Sequence, residues 1–182
     1  IRYYPGTTRQ ELMETAELCQ KDHLLTAAHV RDDADYIFDS IREFLEPGWA
    51  YGLKMQVSHL GSMGGYGQMA QVLSMLDAAR AGGLDVMADC YPYDAFSTRI
   101  GETTYDAGFL ERYHCGYDAI GLCGGKYDGM RCTKEIFEEL RGEHPETITV
   151  GYVMQPEDVA MAMYHPAVML CSDGLMEKRQ GH

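Results

Sequence analysis

Three short apolar runs, LLTAAHVRD, KMQVSHLGS and AVMLCSDGL, each place a polar, chemically capable residue at the downstream end: His29, His59 and Asp173. Each run is aliphatic or β-branched and is broken by polar residues or glycine just beyond that residue. Such runs are how parallel strands buried on both faces read in sequence. In a (β/α)8 barrel the catalytic groups sit at the C-terminal ends of several strands. Two imidazoles and a carboxylate at three such ends can converge on a divalent metal.

The segments between these runs have helical spacing. Residues 7–22 place Leu12, Ala16 and Cys19 on one stripe behind a threonine cap. DDADYIFDSIREFLE starts with acidic residues suited to a helix N-terminus, aligns Ile37, Ile41 and Leu45, and is expected to end at Pro47-Gly48. A strand at about 54–59 leads into the glycine-rich turn GSMGGYG. A helix over 67–81 follows, with Met69, Val72, Leu73 and Leu76 inward. LDVMADCYPY reads as a third strand. Strand–helix–strand–helix–strand with short connections is the parallel α/β rhythm.

That rhythm breaks over residues 95–132, which are rich in Gly, Tyr and Cys without a sustained period; such a stretch reads as a lid or excursion. A helix capped by Thr133, the run ITVGYVM, a helix over 156–164 and the strand AVMLCSDG complete the chain. The expected fold is α/β, a partial (β/α)8 barrel comprising its later strands, five to eight, with an irregular insertion. A complete barrel takes about 250 residues, so the 182 residues are read as one fragment of a single barrel domain.

The net charge of −13 argues against nucleic acid or an anionic membrane as partner, since both demand a basic face. No apolar run approaches the ~20 residues that a membrane-spanning helix needs. The six cysteines contain no CxxC pair, which fits reduced thiols in a cytoplasm, most of them packed as buried hydrophobes.

A lone histidine at a strand end is usually a structural hydrogen-bonder. A second one, His59, one strand–helix unit later at the same phase shifts the balance towards a metal site, for which zinc is the natural ion. Asp173 stands in an apolar run, where an unpartnered carboxylate is expensive; its plainer alternative is a cap on the Gly174 turn. Arg31 and Asp32 either cap and pair at the surface or hold an imidazole in one tautomer. Tyr91 and Tyr93 flank Pro92 at a strand end, and one of them can face the site.

AHVRDDAD, SHLGS, DCYPYDAFST and HPAVMLCSDG, in that order, resemble the N-acyl-D-amino-acid deacylase (D-aminoacylase) branch of the amidohydrolase superfamily, from YYPG to the final Gly-His. The resemblance implies that His29 and His59 are metal-binding histidines of the fifth and sixth barrel strands and that Asp173 is the strand-eight aspartate handling the catalytic proton. It implies an N-acyl amino acid as substrate, contacted by Tyr91, Tyr93 and Ser97, and further metal ligands on earlier strands. Gly61 stands where many members carry a substrate-binding lysine. The implied reaction is metal-assisted hydrolysis of the amide of an N-acyl-D-amino acid. Two alternatives are a cyclic-amide hydrolase of dihydroorotase or hydantoinase type, and a catalytically silent fragment that self-associates through open barrel edges.

Overall fold

The computed structural model describes residues 1–174. The stretch of the family resemblance running on to Gly181-His182 lies outside the described residues. Two compact units make up the described residues, one formed by residues 1–92 and 156–174, the other by 93–155.

The first unit is built on a four-stranded parallel sheet in the order β1-β2-β3-β7, from Leu25–Ala28, Lys54–Val57, Val86–Cys90 and Val168–Leu170. Helices α1 (Arg9–Lys21), α2 (Ile37–Tyr51), α3 (Leu60–Gly64), α4 (Met69–Ala81) and α7 (Pro156–Met163) belong to the same unit. Helix α1 starts at Thr8, whose side chain accepts from the Glu11 amide while Glu11 reaches back to the Thr8 amide. These reciprocal bonds satisfy amides that the first turn leaves without partners.

Register puts Met55, Val57, Val86 and Ala88 on one face, all buried, and α2, α4 and α7 pack against these central strands. The opposite face carries Leu25, Gln56, Met87 and Met169 and is more open. Leu25 on β1 is 56% exposed and Leu170 on β7 is 69% exposed. Burial on both faces, as expected for these runs, is therefore approached only at β3, where Val86, Ala88, Asp89 and Cys90 are buried; β2 alternates, with Lys54 exposed and Gln56 half-buried. The outer strands β1 and β7 each have a strand neighbour on one side among the described residues.

Helix α2 does not end at Pro47-Gly48. It runs on to Tyr51 and stops at Gly52, whose φ of 65° is the left-handed turn that glycine adopts without steric cost. Packing overrides the proline here. Gly48 lies so close to β2 that an added Cβ would sit 2.9 Å from Met55 Cγ, and Pro47 and Gly48 are both buried. The GSMGGYG segment likewise begins as the short helix α3 rather than as a plain turn.

The second unit holds a three-stranded antiparallel sheet in the order β4-β6-β5, from Phe96–Arg99, Ile148–Gly151 and Ile120–Cys123, with helices α5 (Phe109–Arg112) and α6 (Lys134–Glu143). The aperiodic stretch 95–132 falls within it, and the unit continues through α6 and β6. ITVGYVM thus supplies the middle strand of this antiparallel sheet, not a strand in the parallel alternation. An aromatic core fills the unit. Phe109 and Phe137 stack at 5.1 Å, Tyr105 meets Phe109 edge-on at 5.4 Å, and the Tyr105 hydroxyl pairs with Thr149 Oγ1 at 2.9 Å. Gly151 is required opposite Phe96, where a Cβ would come within 2.6 Å of the ring.

Candidate functional site

His29 follows the last residue of β1, and His59 lies two residues beyond β2. The β1–β2 register pairs Ala28 with Val57, and the Ser58 amide donates to the Ala28 carbonyl at 3.0 Å. Side chains alternate along a strand, so continuing this register sets His29 level with Ser58 and leaves His59 one step out of phase. The same phase expected for the two histidines is therefore not that of the strands. The backbone at His59 makes up the difference. With φ 39° and ψ 54° it is left-handed, and its ring meets that of His29 edge-on with centroids 4.5 Å apart. A non-glycine residue in that region costs on the order of 1–3 kcal/mol and persists only where its surroundings hold it.

Those surroundings are polar and well defined. The His59 amide donates to Asp89 Oδ1 at 2.6 Å, and Gln56 Nε2 donates to Asp89 Oδ2. The His59 amide therefore keeps a partner outside the strand ladder, and the left-handed backbone leaves this donor satisfied. The Ser62 hydroxyl donates to the His59 carbonyl at 2.9 Å, so its oxygen is free to accept from His59 Nδ1, 2.8 Å away. That pattern assigns the proton to Nδ1 and leaves the lone pair on Nε2. Tyr91 is buried, and its hydroxyl also bonds Ser62; burial above all pushes the phenol pKa up, so the group stays protonated.

His29 Nε2 is buried and has no hydrogen-bond partner. Burial foremost, then the neighbouring His59 and Arg2, pushes the His29 pKa down to about 3, so the ring is neutral at ordinary pH. Two imidazoles in contact, His29 held neutral with an orphaned nitrogen and His59 with its Nδ1 engaged by Ser62, fit a divalent cation as part of a ligand set. The set is incomplete. Among the described residues, no group of three or more His, Cys, Asp or Glu side chains is placed to hold a metal ion.

The convergence expected of Asp173 is accordingly not seen in full. Asp173 is exposed, with a left-handed φ of 50°, and lies beyond the end of β7 rather than buried in an apolar run. It does share the end of the sheet with Tyr91 and Cys171. Its charge helps raise the Tyr91 pKa, and its amide meets the Cys171 thiol. Burial foremost, then a hydrogen bond to Asp89, pushes Cys171 up to about 12.

Arg31 and Asp32 both have charged partners, and neither bonds an imidazole directly among the described residues. Arg31 grips Glu43 with Nε and Nη2 at 2.8–3.1 Å and donates to the carbonyls of Pro5 and Thr7. Asp32 lies 3.8 Å from Arg2. In the second unit, Tyr93 is 47% exposed and the Ser97 hydroxyl donates to the Thr149 carbonyl at 3.1 Å. The six cysteines are free thiols, but only Cys90 and Cys132 are buried, fewer than their usual packing role suggests.

Sequence reasoning missed Gln56, Ser62 and Asp89. Ser62 had a readable signal in its position three residues after His59 at a helix start, the spacing at which side chains meet. Asp89 stands in a buried strand, where a carboxylate calls for partners.

No family model matches the chain. Three proteins of Alcaligenes xylosoxydans xylosoxydans align with almost all of it. An N-acyl-D-glutamate deacylase is 32% identical over 195 residues, spanning 100% of this chain and 38% of that protein. A D-aminoacylase is 30% identical over 197 residues, spanning 99% and 38%. An N-acyl-D-aspartate deacylase is 27% identical over 189 residues, spanning 95% and 36%. The chain is homologous to the N-acyl-D-amino-acid deacylases. It spans a little over a third of the length of these relatives.

Solved structures agree on the fold. A D-aminoacylase described as defining a novel subset of amidohydrolases superposes with a TM-score of 0.72 at 22% identity, over 92% of this chain and 36% of that one. An N-acyl-D-glutamate deacylase from Bordetella bronchiseptica, complexed with zinc and a phosphonate inhibitor, gives 0.76 at 24% identity over the same shares. The α/β architecture with its parallel sheet is thus that of the deacylase structures. No helix among the described residues is long and apolar enough to cross a membrane.

Proposed function

We propose that the protein containing this chain is a metal-dependent hydrolase that removes the acyl group from N-acyl-D-amino acids. The observation that carries the reading is the pairing of deacylase homology along the whole chain with two imidazoles in contact at neighbouring strand ends. In this reading β1, β2, β3 and β7 are strands five to eight of a (β/α)8 barrel, and residues 93–155 are an insertion between the last two. The parallel order β1-β2-β3-β7 supports it.

His29 and His59 would hold a divalent cation, with Zn2+ the ion of choice for imidazole donors. Such a cation supplies Lewis acidity, polarising the scissile carbonyl and acidifying water. Asp173 takes the proton from the attacking water and returns it to the departing amine, a role that suits an exposed carboxylate in an unusual backbone conformation. Tyr91 keeps its phenolic proton and can donate to the developing oxyanion. Six free cysteines support a reducing, cytoplasmic setting. The exposed Leu25 and Leu170 on two outer strands support self-association of this 182-residue chain when it is produced alone.

The test is a screen of the full-length protein against paired N-acetyl-D- and N-acetyl-L-amino acids, with metal analysis of the same sample. Release of free D-amino acid that stops on chelation and returns with Zn2+ is the expected result. Chelator-insensitive turnover, or hydrolysis confined to cyclic amides, overturns the proposal.

A further inference from the structure

Outside the imidazoles themselves, one buried side chain gathers more of this end of the sheet than any role named so far requires. Asp89 is 8% exposed and occupies the fourth position of β3. Its two carboxylate oxygens take separate partners: Oδ1 accepts from the His59 amide at 2.6 Å, and Oδ2 accepts from Gln56 Nε2. The Cys171 thiol, one residue past β7, also bonds this carboxylate. One side chain thus ties together β2, the turn that leaves it, β3 and the outgoing end of β7.

What distinguishes Asp89 from an ordinary buried carboxylate is the residue it holds. The His59 amide is that of a non-glycine residue at φ 39°, whose left-handed turn brings a ring of the wrong strand phase against His29. A carbonyl acceptor from the neighbouring strand would pull that amide back into the ladder. A side-chain carboxylate reaching past the end of β3 lets the backbone leave the ladder while its donor stays satisfied. We infer that Asp89 is a positioning residue for the candidate metal centre, setting the direction of the His59 imidazole through its backbone amide while Ser62 sets its tautomer. This rests on the reading of His29 and His59 as metal donors, and it assigns Asp89 neither metal contact nor proton transfer.

The experiment uses the full-length protein, stripped of metal and titrated with Zn2+ alone against a chromogenic chelator. The variants are D89N, D89A, H29A and H59A, each with a denaturation curve recorded in EDTA. D89N keeps volume and one carbonyl acceptor, so it decides the matter if D89A fails to fold. The expected result is that D89N, and D89A where folded, bind Zn2+ roughly ten- to hundredfold more weakly than wild type, the usual effect of removing a residue that orients a ligand. Their unfolding in EDTA stays cooperative. A merely structural Asp89 would lower the unfolding midpoint and leave the affinity of the folded fraction at the wild-type value, which overturns the inference. If H29A and H59A also bind Zn2+ like wild type, the metal reading itself fails and the role of Asp89 fails with it. If only those two lose Zn2+ while D89N does not, the metal reading stands and Asp89 is released from it.

Discussion

Acidification should unfold this chain through His29, by an amount the structure allows to be worked out. Its ring is held neutral, with its pKa pushed down to about 3 by burial first and then by His59 and Arg2. In the unfolded chain the same imidazole titrates near its ordinary value of about 6.5. Between these values the unfolded state carries a proton that the folded state refuses, so stability rises with pH across the window. It is intact above about pH 6.5 and is lost progressively as pH falls towards about 3. Lowering the pH from about 7.5 to about 5 therefore costs about 2 kcal/mol at this site, and the whole window about 5 kcal/mol. These are upper figures, because the ring is not wholly shielded from water. The assay is urea unfolding of the metal-free chain at both pH values, for wild type and for H29Q. Ionisable groups remote from His29 are common to both proteins, so the difference between the two pH-dependent losses reports on His29 together with its contact to His59. H29Q should lose about 2 kcal/mol less than wild type on acidification. Parallel losses in the two proteins would show that His29 is not held neutral by the fold.

Two further outcomes follow from the same geometry. S62A removes the acceptor that fixes the His59 Nδ1 proton and should weaken Zn2+ binding about tenfold to hundredfold in a chelator competition; unchanged affinity would reduce Ser62 to a local backbone tie. D173N in the full-length protein should lower deacylation by about 10²–10⁴-fold with metal content unchanged, measured as amine release beside elemental analysis; metal lost in proportion to activity would make Asp173 a ligand instead of a proton carrier.

The parallel alternation was legible because apolar runs and helical stripes report burial directly: β1, β2, β3 and β7 fall on the runs that ended in His29, His59, Tyr91 and Asp173. The limits of α2 were not legible, because Pro47 and Gly48 are set by contact with Met55 and Leu84, residues that become neighbours only after folding. ITVGYVM has the pattern of a buried strand and is one, but composition does not say which sheet a strand joins, and β4 and β5 claim it.

The candidate site divides along the same line. Residue type and place at a strand end picked out His29 and His59, while the phase that brings them together is a backbone property. Extended geometry would send the two rings to opposite faces of the sheet. One residue at φ 39° reverses that; histidine enters this region more readily than most non-glycine residues, but nothing in SHLGS requires it to do so here. What permits the conformation is a carboxylate some thirty positions later in the chain, Asp89, across one strand pairing. A pattern read along the chain locates the donors; the bond that aims one of them runs across it. The side chains most worth testing at such a site are therefore the buried acceptors on the neighbouring strand, not only the residues that could themselves bind metal.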